Sequence, residues 1–119
     1  MGYPTYGKGL NALRDEIHAA AVANGWYAQA ERSLPEHLCL FHSEISEALE
    51  EYRNGRAPTE TYFNEDKPTK PEGVPSELAD IIIRVLDTCG HYGIDIDAIV
   101  RMKLAYNATR GHRHGGKVI

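Results

Sequence analysis

Two pairs of acids constrain this chain more than any other feature. Glu44 and Glu47 stand three residues apart in FHSEISEALEEYR, and Glu77 and Asp80 repeat that spacing in SELADIIIRVL. Residues three apart share a face of an α-helix, so each pair presents two carboxylates in one direction. Two such helices packed together bring four acids into one small volume. Unpaired, the acids would repel one another and lose hydration at prohibitive cost. A cation between them removes that cost. An all-oxygen donor set suits a hard ion, and Mg²⁺ in particular is held by a few carboxylates and completed by substrate phosphates.

The flanking text is helical in period. Leu10, Leu13, Ile17, Ala20 and Ala21 predict a first helix over 10–23, stopped by Asn24-Gly25. A second helix is expected from Pro35 to Arg53, with Leu38, Phe41, Ile45, Leu49 and Tyr52 as its apolar stripe and Asn54-Gly55 as its stop. Glu44, Glu47 and Glu51 line the neighbouring stripe, while Glu50 reads as solvated. Residues 56–73 carry three prolines and no periodicity, which predicts a loop, long enough for a lid or an interface flap.

A third helix is expected from Ser76 to His91. Leu78, Ile81, Ile82, Ile83, Val85, Leu86 and Cys89 cover more than half of its circumference, as in a helix buried by several neighbours. The remaining stripe holds Glu77, Asp80, Arg84, Asp87 and His91. Such acids are either a site or part of a salt-bridge lattice through Arg84. A fourth helix starts near Asp95 or Asp97, either of which can cap it, and runs to Thr109. Its apolar face of Ile96, Ile99 and Val100 continues by helical spacing into Lys103, Asn107 and Arg110. That change reads as a helix turning towards a polar cavity; the structural alternative is a helix leaving the core for solvent. The fold class expected is all-α: one domain over 1–119 with a four-helix, bundle-like core.

Composition narrows the function. A hydrophobic fraction of 42% and a charged fraction of 25% are those of an ordinary globular protein. The net charge of −4 argues against nucleic acid as the partner. No Asp or Glu occurs from Ala98 to Ile119, where Arg101, Lys103, Arg110, Arg113 and Lys117 fall. Acids in mid-chain and bases at the end suit a site with metal on one side and phosphate on the other, although a solvated basic tail has the same composition. His112 and His114 belong to that tail rather than to a metal site. Cys39 and Cys89, each in an apolar run with no CxxC, read as buried free thiols in a reducing compartment. The N-terminus has no signal core or membrane span, and Tyr6 stands where a myristoylation signal needs Ser or Thr. The expected location is cytoplasmic.

Taken together, Glu44-x-x-Glu47, Glu77-x-x-Asp80 and Lys103-x-x-x-Asn107, within SEISEALEEYR and PEGVPSELADIIIRVLD, resemble the MazG-like all-α nucleoside triphosphate pyrophosphohydrolases. The resemblance covers the chain from about Leu10 to Lys117. It implies a four-helix core completed by oligomerisation, as a homodimer or homotetramer. The implied activity is Mg²⁺-dependent hydrolysis of (d)NTP to (d)NMP and pyrophosphate, with Mn²⁺ as a substitute ion and house-cleaning of non-canonical nucleotides as one role. Glu44, Glu47, Glu77 and Asp80 match the family's metal ligands, and Lys103 and Asn107 its phosphate- or sugar-contacting positions. Arg110, Arg113 and Lys117 match more loosely, and His18 and Trp26 more loosely still. The proline-rich 56–73 segment is at or beyond the family's usual spacing, which puts the shape of the nucleotide pocket in question.

The residues alone reach the same reaction class with less detail. Carboxylates holding Mg²⁺ allow attack of water at the α-phosphorus, with Glu47 or Glu51 orienting that water. Lys103, Arg110 and Lys117 are the candidates to stabilise the departing pyrophosphate. Trp26 is either a core or dimer-interface anchor or a wall on which a base stacks. No Walker A loop, dinucleotide fingerprint or Ser-His-Asp set offers another mechanism. A di-iron bundle would use Glu-x-x-His pairs, and none occurs. The alternative of another class is a catalytically silent nucleotide-binding or regulatory module on the same scaffold.

Overall fold

A computed structural model describes residues 9–28 and 32–110. The elements in order are α1 (Gly9–Ala23), α2 (Leu34–Arg53), β1 (Tyr62–Asn64), β2 (Lys67–Glu72), α3 (Val74–Tyr92) and α4 (Ile96–Thr109). Each helix boundary lies within two residues of the sequence expectation. Local chemistry explains why. Ser33 and Glu36 form a capping box at the start of α2: each side chain accepts from the other's backbone N–H. Pro35 occupies the first turn, where its missing N–H costs nothing. Asp95 caps α4 by accepting from the Ala98 N–H at 3.0 Å.

The other candidate cap, Asp97, works at long range. Its carboxylate accepts from the Leu10 and Asn11 N–H groups at 2.8 and 2.9 Å, satisfying two orphan donors in the first turn of α1. Asn11 answers by accepting from the Ile96 N–H at 3.0 Å, so each helix start caps the other. This exchange fixes α4 against α1.

α3 is the central helix, packed on α1 along one side and α2 along another. The approach to α1 is close: a Cβ at Gly90 would press into the His18 side chain. α2 and α3 run antiparallel, since His37 meets Thr88 while Glu44, two turns later, meets Arg84.

Four expectations need correcting. Residues 56–73 are not all loop: β1 and β2 form an antiparallel hairpin around Glu65-Asp66, with Asn64 opposite Lys67. The protein is therefore mostly helical with a small two-stranded sheet. A two-stranded ribbon has no central strand, so Pro68 and Pro71 break no inner ladder. On α2, the stripe of Leu38, Ile45, Leu49 and Tyr52 is exposed, and the buried positions are His37 and Glu44. On α3, burial is confined to Leu86, Asp87, Thr88 and Cys89; Leu78 and Ile82 are half-exposed rather than covered by neighbours. Cys89 is a buried free thiol as expected, but Cys39 is exposed. Each miss on a helix has one cause: the period says which residues share a stripe, not which stripe meets a neighbour.

Candidate metal centre

The facing sides of α2 and α3 gather Glu44, Glu77 and Asp80, with one carboxylate oxygen from each within 4.8 Å of the others. Glu44 is buried, and Glu77 and Asp80 are partly buried. Burial and like charge set the electrostatics of Glu44 and Glu77. Desolvation first, then the neighbouring Glu47 carboxylate, to which a protonated Glu44 can donate, and the charge of Asp80 raise Glu44 to about 7. Glu77 is also raised to about 7, by desolvation first and then by the charges of Glu47, Asp80 and Glu51. Arg84 opposes the shift of Glu44 from a long ion-pair distance, Nε to Oε2 3.8 Å. All three donors are hard oxygens, the Asp80 charge raises both Glu44 and Glu77, and the three converge from two rigid helices. That set fits a divalent hard cation such as Mg²⁺.

The acids open onto a hollow of about 230 Å³ lined by Trp26, Glu44, Asp80, Ile83 and Arg84. Trp26 is partly buried, and the Arg84 guanidinium lies 5.0 Å from its ring centroid. Trp26 therefore stands at the acids, on the segment that leaves α1.

Comparison with protein-family models, with curated proteins and with solved structures gave no match in any of the three.

The remaining candidates divide. Glu47 is exposed and outside the converging trio, but its charge acts on both Glu44 and Glu77. Lys103, Asn107 and Arg110 are not brought to the acids within one chain. The whole of 101–110 is exposed, and Lys103 and Arg110 lie 5.7 and 5.8 Å from the ring of Tyr106. The expected inward turn of α4 is thus absent from the single chain, because α4 packs on α1 through its first half only. Arg113, Lys117, His112 and His114 lie outside the described residues.

His18 belongs to a different cluster. Its Nδ1 is 2.8 Å from Asp87 Oδ1, and the Tyr27 hydroxyl donates to Asp87 Oδ2 at 2.6 Å. His91 stacks on Tyr27 at 5.0 Å, and His37 Nδ1 contacts Thr88 Oγ1 at 3.0 Å. His37 and Tyr27 were not singled out from sequence for this role. A signal existed: His37 lies seven residues before Glu44, two helical turns along the same face.

The hairpin also reaches the site's edge. The Tyr62 hydroxyl donates to Glu51 Oε1 at 2.8 Å. No helix of the described residues is long and apolar enough to cross a membrane.

Proposed function

We propose that this protein is a Mg²⁺-dependent nucleoside triphosphate pyrophosphohydrolase that works as an oligomer, converting a (d)NTP and water into (d)NMP and pyrophosphate. The observation that carries the reading is the convergence of Glu44, Glu77 and Asp80 with two of the three raised to about 7. The resemblance of both acidic motifs and of Lys103 with Asn107 to MazG-like enzymes gives the cluster its reaction.

Glu44, Glu77 and Asp80 would hold the ion, with Glu47 near enough to Glu44 to join them. What the ion supplies is screening of the triphosphate and polarisation of a phosphoryl oxygen. The chain's own residues do the rest. Arg84 balances Glu44 at rest, Trp26 offers a flat face beside the acids for a base, and Lys103 and Asn107 contact phosphate or sugar. Because α4 is exposed and apart from the acids, a second copy must present its Lys103.

Apolar exposure supports that oligomer. Ile45 and Leu49 on α2, Ile82 on α3 and Met102 on α4 are 51%, 56%, 53% and 65% exposed. Leaving so many large apolar side chains in water is costly, and a second copy removes the cost. Non-canonical nucleotides are the substrates to screen beside the ordinary NTPs and dNTPs. The test is pyrophosphate release with Mg²⁺ and with EDTA, on protein whose mass is measured by light scattering. Mg²⁺-dependent release of one pyrophosphate per NMP by a dimer or tetramer is expected. Nucleotide binding without turnover would favour a silent binding module, and a monomer with full activity would contradict the shared site.

A further inference from the structure

We propose that Tyr62 of the β-hairpin is a positioning residue that holds Glu51 at the edge of the acidic cluster as the carboxylate that orients the attacking water. The inference rests on the hydrolase reading above and goes beyond it, since the sequence leaves Glu47 and Glu51 as equal candidates. Three observations separate them.

The first is the state of the two carboxylates. Glu47, one turn after Glu44 on α2, stands beside the converging trio and within reach of the ion's own ligand set. Glu51 is outside the trio, yet its charge acts on Glu77. Seven residues beyond Glu44, it lies on the same face of α2 two turns along. Tyr62 occupies its Oε1 at 2.8 Å, and Oε2 has no partner among the described residues.

The second is how firmly Tyr62 is held. The Arg56 guanidinium lies 3.5 Å from the Tyr62 ring centroid and pairs with Glu60 Oε2 at 2.8 Å. Glu60 Oε1 in turn accepts from the Ala57 N–H at 3.2 Å. A planar cation stacked on the ring and anchored at its other edge leaves the phenol little freedom.

The third is how the hairpin is tied to the helix that carries the other acids. Gly73, at φ 115°, caps α3, and a Cβ there would collide with the Glu60 carbonyl. Only glycine permits this approach, which locks the base of the hairpin against the start of α3. Glu77 follows four residues later. The segment between the two acidic helices is thus a brace that fixes Glu51 relative to Glu77.

In the reaction, the water oxygen bonds to the α-phosphorus as its proton passes to Glu51. The bond from that phosphorus to the bridging oxygen breaks, and pyrophosphate leaves with the bonding electrons. Glu51 then returns its proton to solvent. A phenol donating to Oε1 keeps Oε2 aimed at the water and the carboxylate in one rotamer.

The test is a double-mutant cycle of Tyr62→Phe and Glu51→Gln in the full chain, read as pyrophosphate release at saturating and limiting NTP, with Mn²⁺ affinity measured separately. Tyr62→Phe keeps the ring under Arg56 and removes only the hydroxyl. It is expected to lower kcat about tenfold with KM unchanged. Glu51→Gln should lower kcat by about 100-fold or more, and the double variant should be no slower than Glu51→Gln alone. Both single variants should bind Mn²⁺ as the wild type does, because neither removes a ligand. Wild-type kcat in Tyr62→Phe, or losses that multiply in the double variant, would overturn the inference while leaving the hydrolase reading in place. A wild-type protein that releases no pyrophosphate would instead overturn the hydrolase reading, and this role with it.

Discussion

Two polar clusters lie between the same helices, and they differ in how their acids are satisfied. Towards the C-terminal half of α3, Asp87 is 2% exposed, yet it accepts from the Tyr27 hydroxyl and pairs with His18. Seven residues earlier on the same face, Asp80 meets Glu44 and Glu77, and these acids have chiefly one another. Asp87 is thus satisfied within the chain. It ties α1, the segment after it and α3 together in a protein whose buried apolar residues are Ala21, Leu86 and Cys89 among those described. The second cluster is incomplete, because like charges held together in low dielectric need a cation. A buried carboxylate with close donors is structural; converging carboxylates with one distant arginine among them make a place for an ion.

The sharpest way to break this contrast is to remove one acid from each cluster. Asp87→Ala strands the Tyr27 hydroxyl and the His18 ring, and should cost about 3 kcal/mol or more of stability. Glu44→Gln or Asp80→Asn should leave the helical fold intact and, without metal, stabilise it by about 1 kcal/mol, since a like charge has gone. The same two changes should abolish Mg²⁺-dependent turnover. Urea unfolding with and without Mg²⁺, beside pyrophosphate release, checks all three. Equal destabilisation by Asp87→Ala and Glu44→Gln would erase the distinction.

The pH dependence of stability sharpens it further. Glu44 and Glu77 sit at about 7 in the folded state, above their ordinary value of 4.5. Their contribution is fully present below that ordinary value and is lost as pH rises through about 7. The metal-free protein should therefore lose of order 1–3 kcal/mol between about pH 6 and pH 8. Mg²⁺ should flatten or reverse that slope, because it favours the ionised acids. Burial lowers the pKa of His37, so on the acid side folding loses stability as pH falls through the ordinary histidine value of 6.5. Thermal melts from about pH 5 to pH 8 with and without Mg²⁺ should show the metal-free protein losing stability towards the alkaline end, with His37 only reducing the gain on the acid side. A metal-free protein that stabilises steadily towards alkaline pH would contradict the acid-site half of the contrast.

The smallest expected effect on stability belongs to Lys103→Met. Within one chain Arg84, not Lys103, faces the resting acids, and Lys103 is exposed. The change should leave stability and Mg²⁺ affinity within about 0.5 kcal/mol of wild type, while raising KM for the triphosphate or lowering kcat. Normal kinetics with a shifted Mg²⁺ affinity would show that Lys103 serves the acids rather than the phosphate.

Several features were legible because they are local. Helix ends follow from capping and breaking chemistry carried by a few adjacent residues, as at Ser33 to Glu36, Asn54-Gly55 and Gly93. The i, i+3 spacing was enough to put Glu77 and Asp80 on one face, and the matching pair on α2 was enough to expect an acidic cluster. The hairpin was less legible: three prolines and a polar run hide two strands that need no central ladder.

What the sequence by itself determined, then, was the set of helices and the grouping of side chains into stripes, since both depend on dihedral preferences and helical period. Only the tertiary structure decided which stripe faces which neighbour. It turned His37 and Glu44 inward and left Leu38, Ile45 and Leu49 outside. It split the polar stripe of α3 into Asp80, among acids, and Asp87, among donors. It sent Asp97 across to cap α1 and kept Lys103 away from the carboxylates. The reason is that burial and pairing depend on contacts between residues distant in sequence, 51 positions apart for His37 with Thr88 and 87 for Leu10 with Asp97, and no local period encodes them.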